Sequence, residues 1–100
     1  MQTDLIIVSE YCRISNIEPS FLEDLDDDGL IKIENVDGEK YLLKSQLDQV
    51  ERYARLHYDL SINMEGLDAI HNLLDRIEDM QSEIDKLRRR LKYYEQNNIL

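Results

Sequence analysis

Positive charge is what this chain has least of. Twelve Lys and Arg stand against 22 Asp and Glu, for a net charge of −10 over 100 residues. Such an excess repels phosphate backbones, which disfavours generic nucleic-acid binding and favours basic protein partners. Cysteine is almost absent. With Cys12 alone, no internal disulfide can form, which fits a reducing compartment. No run of about 18 apolar residues exists, and the N-terminus lacks a signal peptide's basic start and apolar centre. The chain is therefore read as a soluble, cytoplasmic protein with no membrane partner.

Chemistry-bearing constellations are missing too. Cys12 falls on the apolar stripe of a predicted helix, as a buried structural thiol does. His57 and His71 are isolated and lack the companions that a zinc site needs. Asp26-Asp27-Asp28-Gly29 lacks the spaced ligands and closing Glu of a calcium loop. No Gly-rich phosphate loop occurs. The reading is of a non-enzyme with no catalytic residue, no metal and no cofactor.

What is present is concentrated in the last third. Apolar residues recur at Leu67, Ile70, Leu74, Ile77, Met80, Ile84, Leu87, Leu91 and Tyr94, in steps of three or four. This is a narrow helical stripe of the kind that pairs with another helix. Two successive steps of three, Leu74 to Ile77 to Met80, break the heptad and predict local overwinding. Charge along the helix is sorted. Asp68, Asp75, Glu78, Asp79, Glu83 and Asp85 face one base, Arg76; then Lys86, Arg88, Arg89, Arg90 and Lys92 follow with no acid between them. An antiparallel copy would lay the acidic half against the basic half, so the stripe is predicted to form an antiparallel homodimer. The same sorting also suits the dipole of a single helix, so that alternative stays open.

Ahead of this helix, Leu5 to Val8 predicts a strand. Ser9 is placed as the cap of a first helix with apolar positions Tyr11, Cys12 and Ile14. Ser15-Asn16 breaks it, and Ile17 plugs the core from the turn. Glu18-Pro19 opens a second helix whose buried face is Phe21, Leu22 and Leu25, with Gly29 ending it. Ile31 to Asn35 and Glu39 to Leu43 predict a hairpin across Asp37-Gly38. Ser45 caps a third helix to about Leu60, its stripe being Leu47, Val50, Tyr53 or Ala54, Leu56 or His57, and Leu60. Asn63 caps the long helix, with Gly66 costing about 1 kcal/mol of helix propensity in the first turn. Residues 1–61 are thus a body of roughly 60 residues, marginal alone and helped by dimerisation, and residues 62–100 a coiled-coil helix.

The order of elements resembles the MerR-type winged helix. Ser9-Glu10-Tyr11-Cys12-Arg13-Ile14-Ser15-Asn16-Ile17 resembles that family's opening, typically G-E-V-A-R-L-T-G-V. Leu22 to Ile31 sits where the family has L-R-Y-Y-E-R-E-G-L-I, Tyr41-Leu42-Leu43 at the wing's Y-R-L, and Leu60 to Glu65 at L-G-F-S-L-E. The resemblance implies a mainly α fold with a small β hairpin: a MerR-like winged helix-turn-helix followed by a long C-terminal dimerisation helix. Metal-sensing members place cysteines near that helix, where this chain has none.

The departures bear on function. DNA-binding members carry Arg and Tyr in the second helix; Glu23, Asp24 and Leu25 stand here, and Leu42 replaces the wing arginine. From Glu18 to Asp28 there are six acids and no base. This combination is similar to the CbpM-type chaperone modulators, a branch of the superfamily of about this length. That resemblance implies binding to the J-domain of a DnaJ- or CbpA-like cochaperone and inhibition of its work with Hsp70. J-domains of that family present a basic helix. Glu23, Asp24, Asp26, Asp27 and Asp28 are the candidate contacts to it, with Tyr41, Leu42 and Tyr58 as candidate apolar anchors. The bland alternative is a solvated acidic face. The other functional reading is a MerR-family DNA-binding transcriptional regulator, whose only basic patch would be Lys86 to Lys92. A generic dimeric module for another basic protein is the third.

Overall fold

A computed structural model describes residues 4–97. Its elements run β1 (Leu5–Ile7), α1 (Val8–Ser15), α2 (Pro19–Asp27), β2 (Ile33–Val36), β3 (Glu39–Leu43), α3 (Leu47–Ala54) and α4 (Met64–Asn97). A 3₁₀ turn, Lys44–Gln46, precedes α3, and a π-helical turn, Arg55–Asp59, follows it. The described chain divides into two units, one ending at Asp68 and the other starting at Ala69.

Local chemistry explains most boundaries. Asn16 takes the left-handed conformation, φ 57° and ψ 44°, and ends α1. Pro19 occupies the first turn of α2, where its missing N–H costs nothing. At the other end, Gly29 at φ 77° lets its N–H reach the Asp26 carbonyl at 3.0 Å while Leu30 reaches Leu25 at 2.9 Å. This is a Schellman cap, and Leu25 and Leu30 are both buried there. Asp37 and Gly38 are both at positive φ, 53° and 84°, as a two-residue hairpin turn requires. The register follows: Val36 opposes Glu39 and Ile33 opposes Leu42. β1 pairs antiparallel on the other side of β3, giving the order β1-β3-β2.

Four expected details differ. Ser9 caps nothing, because the strand runs straight into the helix and Val8 is already helical. Ile14 is 70% exposed, since Tyr11 and Cys12 take the inward face of this short helix. Ser45 lies within the 3₁₀ turn and makes no side-chain cap. Leu60 is 64% exposed, because the π-helical turn rotates the last residues away from α3's stripe.

The core of the first unit gathers Val8, Tyr11 and Cys12 from α1, Ile17 from the turn after it, Phe21, Leu22 and Leu25 from α2, Leu30, Ile31 and Leu42, Val50 and Tyr53 from α3, and Leu67. Each fully buried leucine contributes about 1.5–3 kcal/mol of transfer free energy. Two polar clamps join the hairpin to its surroundings. Lys32 N–H donates to Gln46 Oε1 at 2.7 Å, and Gln46 Nε2 donates back to the Lys32 carbonyl at 2.8 Å. Ile33 N–H donates to Asp26 Oδ1 at 3.1 Å. Phe21 stacks on His57 with centroids 4.6 Å apart, and Tyr58 meets Phe21 edge-on at 5.4 Å.

Candidate functional site

Helical geometry decides which acids of α2 face solvent. Phe21, Leu22 and Leu25 point inward, so Glu23, Asp24 and Asp27, together with Asp28 at the cap, are left exposed. Asp24, Asp27 and Asp28 line one hollow of about 790 Å³ with Met64, Glu65 and Asp68. Asn63 builds the opposite wall: its Oδ1 accepts the Gly66 N–H at 2.9 Å, and its carbonyl accepts the Leu67 N–H at 2.9 Å. That cap starts α4 with Glu65 and Asp68 beside the end of α2. The hollow therefore has five carboxylates and no base in its lining.

The two walls differ in cost. Glu65 sits in the first turn of α4, where the helix dipole favours an acid. Asp26 and Asp27 occupy the last turn of α2, with Asp28 as C-cap and no base among them. There the dipole opposes negative charge, at roughly 0.3–1 kcal/mol each at a surface. Helix stability does not account for these acids.

The expected contacts separate by role. Asp26 is half-buried and spends Oδ1 on the Ile33 amide. Glu23 is paired with Lys40 Nζ at 3.1 Å. Tyr41 is half-buried on β3 opposite Glu34. Leu42 is a correction: it is fully buried, because strand alternation turns it into the core, and it cannot anchor a partner. The Tyr58 hydroxyl accepts the Glu18 N–H at 3.1 Å, and its ring belongs to the Phe21–His57 cluster. No sequence pattern brings Met64, Glu65 and Asp68 to this hollow. The Asn63 cap was legible, but the meeting of the two helix ends is a tertiary fact.

Leu67 is a second correction. It was expected in the dimer stripe, but it is fully enclosed in the core of the first unit. Ile70 and Leu74 are half-buried, whereas Ile77, Met80, Ile84, Leu87, Leu91 and Tyr94 are exposed in the single chain.

Cys12 is buried, and that burial pushes its thiol pKa up, with Glu23 adding to the shift. A thiol so held is not an activated nucleophile. Among the described residues no three His, Cys, Asp or Glu side chains converge as metal ligands, and no helix is long and apolar enough to cross a membrane.

A helix-turn-helix of α1 and α2, a β2–β3 wing and a long terminal helix define a winged helix-turn-helix protein. A family model described as MerR HTH family regulatory protein matches residues 6–89, and the chain belongs to that family. No curated protein and no solved structure matches it.

Proposed function

We propose that this chain is a chaperone modulator of the CbpM type, which binds the J-domain of a DnaJ- or CbpA-like cochaperone and keeps it from Hsp70. The observation that carries the reading is the placement of Asp27 and Asp28 against the dipole of α2, Asp26 beside them being held by the Ile33 amide. Acids placed at a local cost, on the helix that would otherwise meet a duplex, favour a basic protein surface over DNA. Asp24, Asp27, Asp28, Glu65 and Asp68 supply the charge, with Glu23 at the edge. Met64 is the apolar group in the lining of that face.

The working unit is an antiparallel homodimer through α4. Residues 68–85 carry six acids and one base, and residues 86–92 carry five bases and no acid. Antiparallel pairing sets these blocks of −5 and +5 against each other twice, whereas parallel pairing stacks like on like. A single added cysteine at Gln96 should link two chains only in the parallel arrangement, so no crosslink is expected.

Titration with an isolated J-domain tests the function. Binding that weakens steeply with salt is expected. Absence of binding at low salt refutes the reading. The family description keeps a transcriptional regulator as the second reading, and retardation of promoter DNA at physiological salt would establish it instead.

A further inference from the structure

The exposed apolar residues of α4 follow the stripe read from sequence from Ile77 onward, but they open on Leu73 in place of Leu74. They are Leu73, Ile77, Met80, Ile84, Leu87, Leu91 and Tyr94, with Tyr93 beside the last. The steps between the first seven are four, three, four, three, four and three. That is an uninterrupted heptad over three repeats, with no three-residue slip. The slip arises only when Leu74 is taken as the residue before Ile77. Leu74 is half-buried, Leu67 is fully buried, and Leu73 is exposed.

We infer that the seam of the homodimer begins at Leu73 and runs without a stammer to Tyr94, and that Leu67, Ile70 and Leu74 lie outside it. This inference rests on the dimer proposed above and assigns its register along the helix. A strict 3.5-residue repeat predicts an ordinary left-handed supercoil through the whole seam, with no overwound segment.

A second copy of this chain is the occupant that the charges select. The residues one step before Ile77, Ile84 and Leu91 are Arg76, Glu83 and Arg90, and those one step after Met80 and Leu87 are Gln81 and Arg88. Arg76, Glu83 and Arg90 alternate in sign, Gln81 is neutral and Arg88 is basic, and these flanking positions are the ones that set partner and orientation in a coiled coil. Glu83, Leu87, Arg90 and Tyr94 border one shallow hollow along the helix, so charge lines the edge of the apolar strip. Taken alone, the flanks also permit a parallel pair, Glu83 with Arg88 and Arg90 with Glu95. Within the seam, residues 73–85 carry five acids and one base while residues 86–92 carry five bases and no acid, and that sorting decides for the antiparallel one.

Sedimentation equilibrium on the full chain tests the inference, with helix content followed by circular dichroism. Three variants are compared with wild type: Leu73→Lys, Leu74→Lys and Leu87→Lys. Loss of a seam leucine weakens dimerisation by about tenfold or more. The expected result is that Leu73→Lys and Leu87→Lys both weaken the dimer with helix content retained, while Leu74→Lys changes its dissociation constant by less than about threefold. A Leu74→Lys dimer as weak as Leu87→Lys, with Leu73→Lys unaffected, overturns the seam and leaves the dimer standing. Unchanged mass in Leu87→Lys, or a monomeric wild type, overturns the dimer itself. Should Leu74→Lys lose its fold, Leu73→Ala and Ile77→Ala carry the test; a wild-type dissociation constant in Leu73→Ala then overturns the seam.

Discussion

Lys40 Nζ on the wing and Glu23 Oε2 on α2 lie 3.1 Å apart. The pair puts the wing's base on the acidic helix, so it does not project outward as a phosphate contact. Both side chains are about half exposed, and exposed pairs contribute about 0–1 kcal/mol.

Replacing Lys40 with alanine should therefore leave thermal stability within about 0.5 kcal/mol of wild type. It frees the Glu23 carboxylate and makes the face more negative. Association with a J-domain should speed up at low salt, and stopped-flow fluorescence would detect it. Slower association would mean that Lys40 itself contacts the partner.

Gly66 gives a prediction of opposite sign from helix propensity. Alanine there gains about 1 kcal/mol as a helix former. Its Cβ, however, would meet Ile62 Cγ2 at 2.6 Å and Asn63 Oδ1 at 3.2 Å. Ile62 is β-branched and cannot swing aside, and Asn63 is the cap. Overpacking costs about 1–3 kcal/mol, so Gly66→Ala should lose about 1 kcal/mol net in urea unfolding. A stabilised variant would contradict this packing.

Alkaline stability follows from two buried groups on α1. Burial is the main cause that raises the Cys12 pKa, with Glu23 second. Burial also raises the Tyr11 pKa, opposed by the Ser15 hydroxyl and reinforced by Glu51 and Cys12. For both, the unfolded chain releases its proton first. Their contribution is complete below the ordinary values of 9.0 and 10.0 and falls as pH rises through the raised folded values. Denaturant midpoints should drop above about pH 9, and less so in Cys12→Ala than in wild type.

Local chemistry was readable from the residues. Asn16, Pro19, Gly29 and Asp37-Gly38 each mark a boundary through a backbone requirement of their own, Asn63 marks one through its side-chain cap, and each boundary is observed. Facing was harder. Ile14 and Leu60 fit a helical stripe, but an eight-residue helix has room for few inward positions, and a π-helical turn shifts the phase. Leu42 and Leu67 fit binding surfaces until tertiary packing enclosed them. The steps upstream, from Leu67 and Ile70, fit Leu74, and those downstream, from Ile77, fit Leu73; exposure chooses between them. In the candidate site, the acids of α2 stood in plain sight. Glu65 and Asp68 joined them only because the start of α4 packs beside the end of α2.

The central claim is that a fold shared with DNA readers now presents a negative face to a basic protein. Fluorescence anisotropy of a labelled J-domain, titrated in one buffer with wild type and with an Asp24→Asn, Asp27→Asn, Asp28→Asn variant, tests it most directly. Saturable wild-type binding is expected, with at least about a tenfold loss in the variant. Equal affinities, or tighter binding of wild type to duplex DNA than to the J-domain at the same salt, would contradict it.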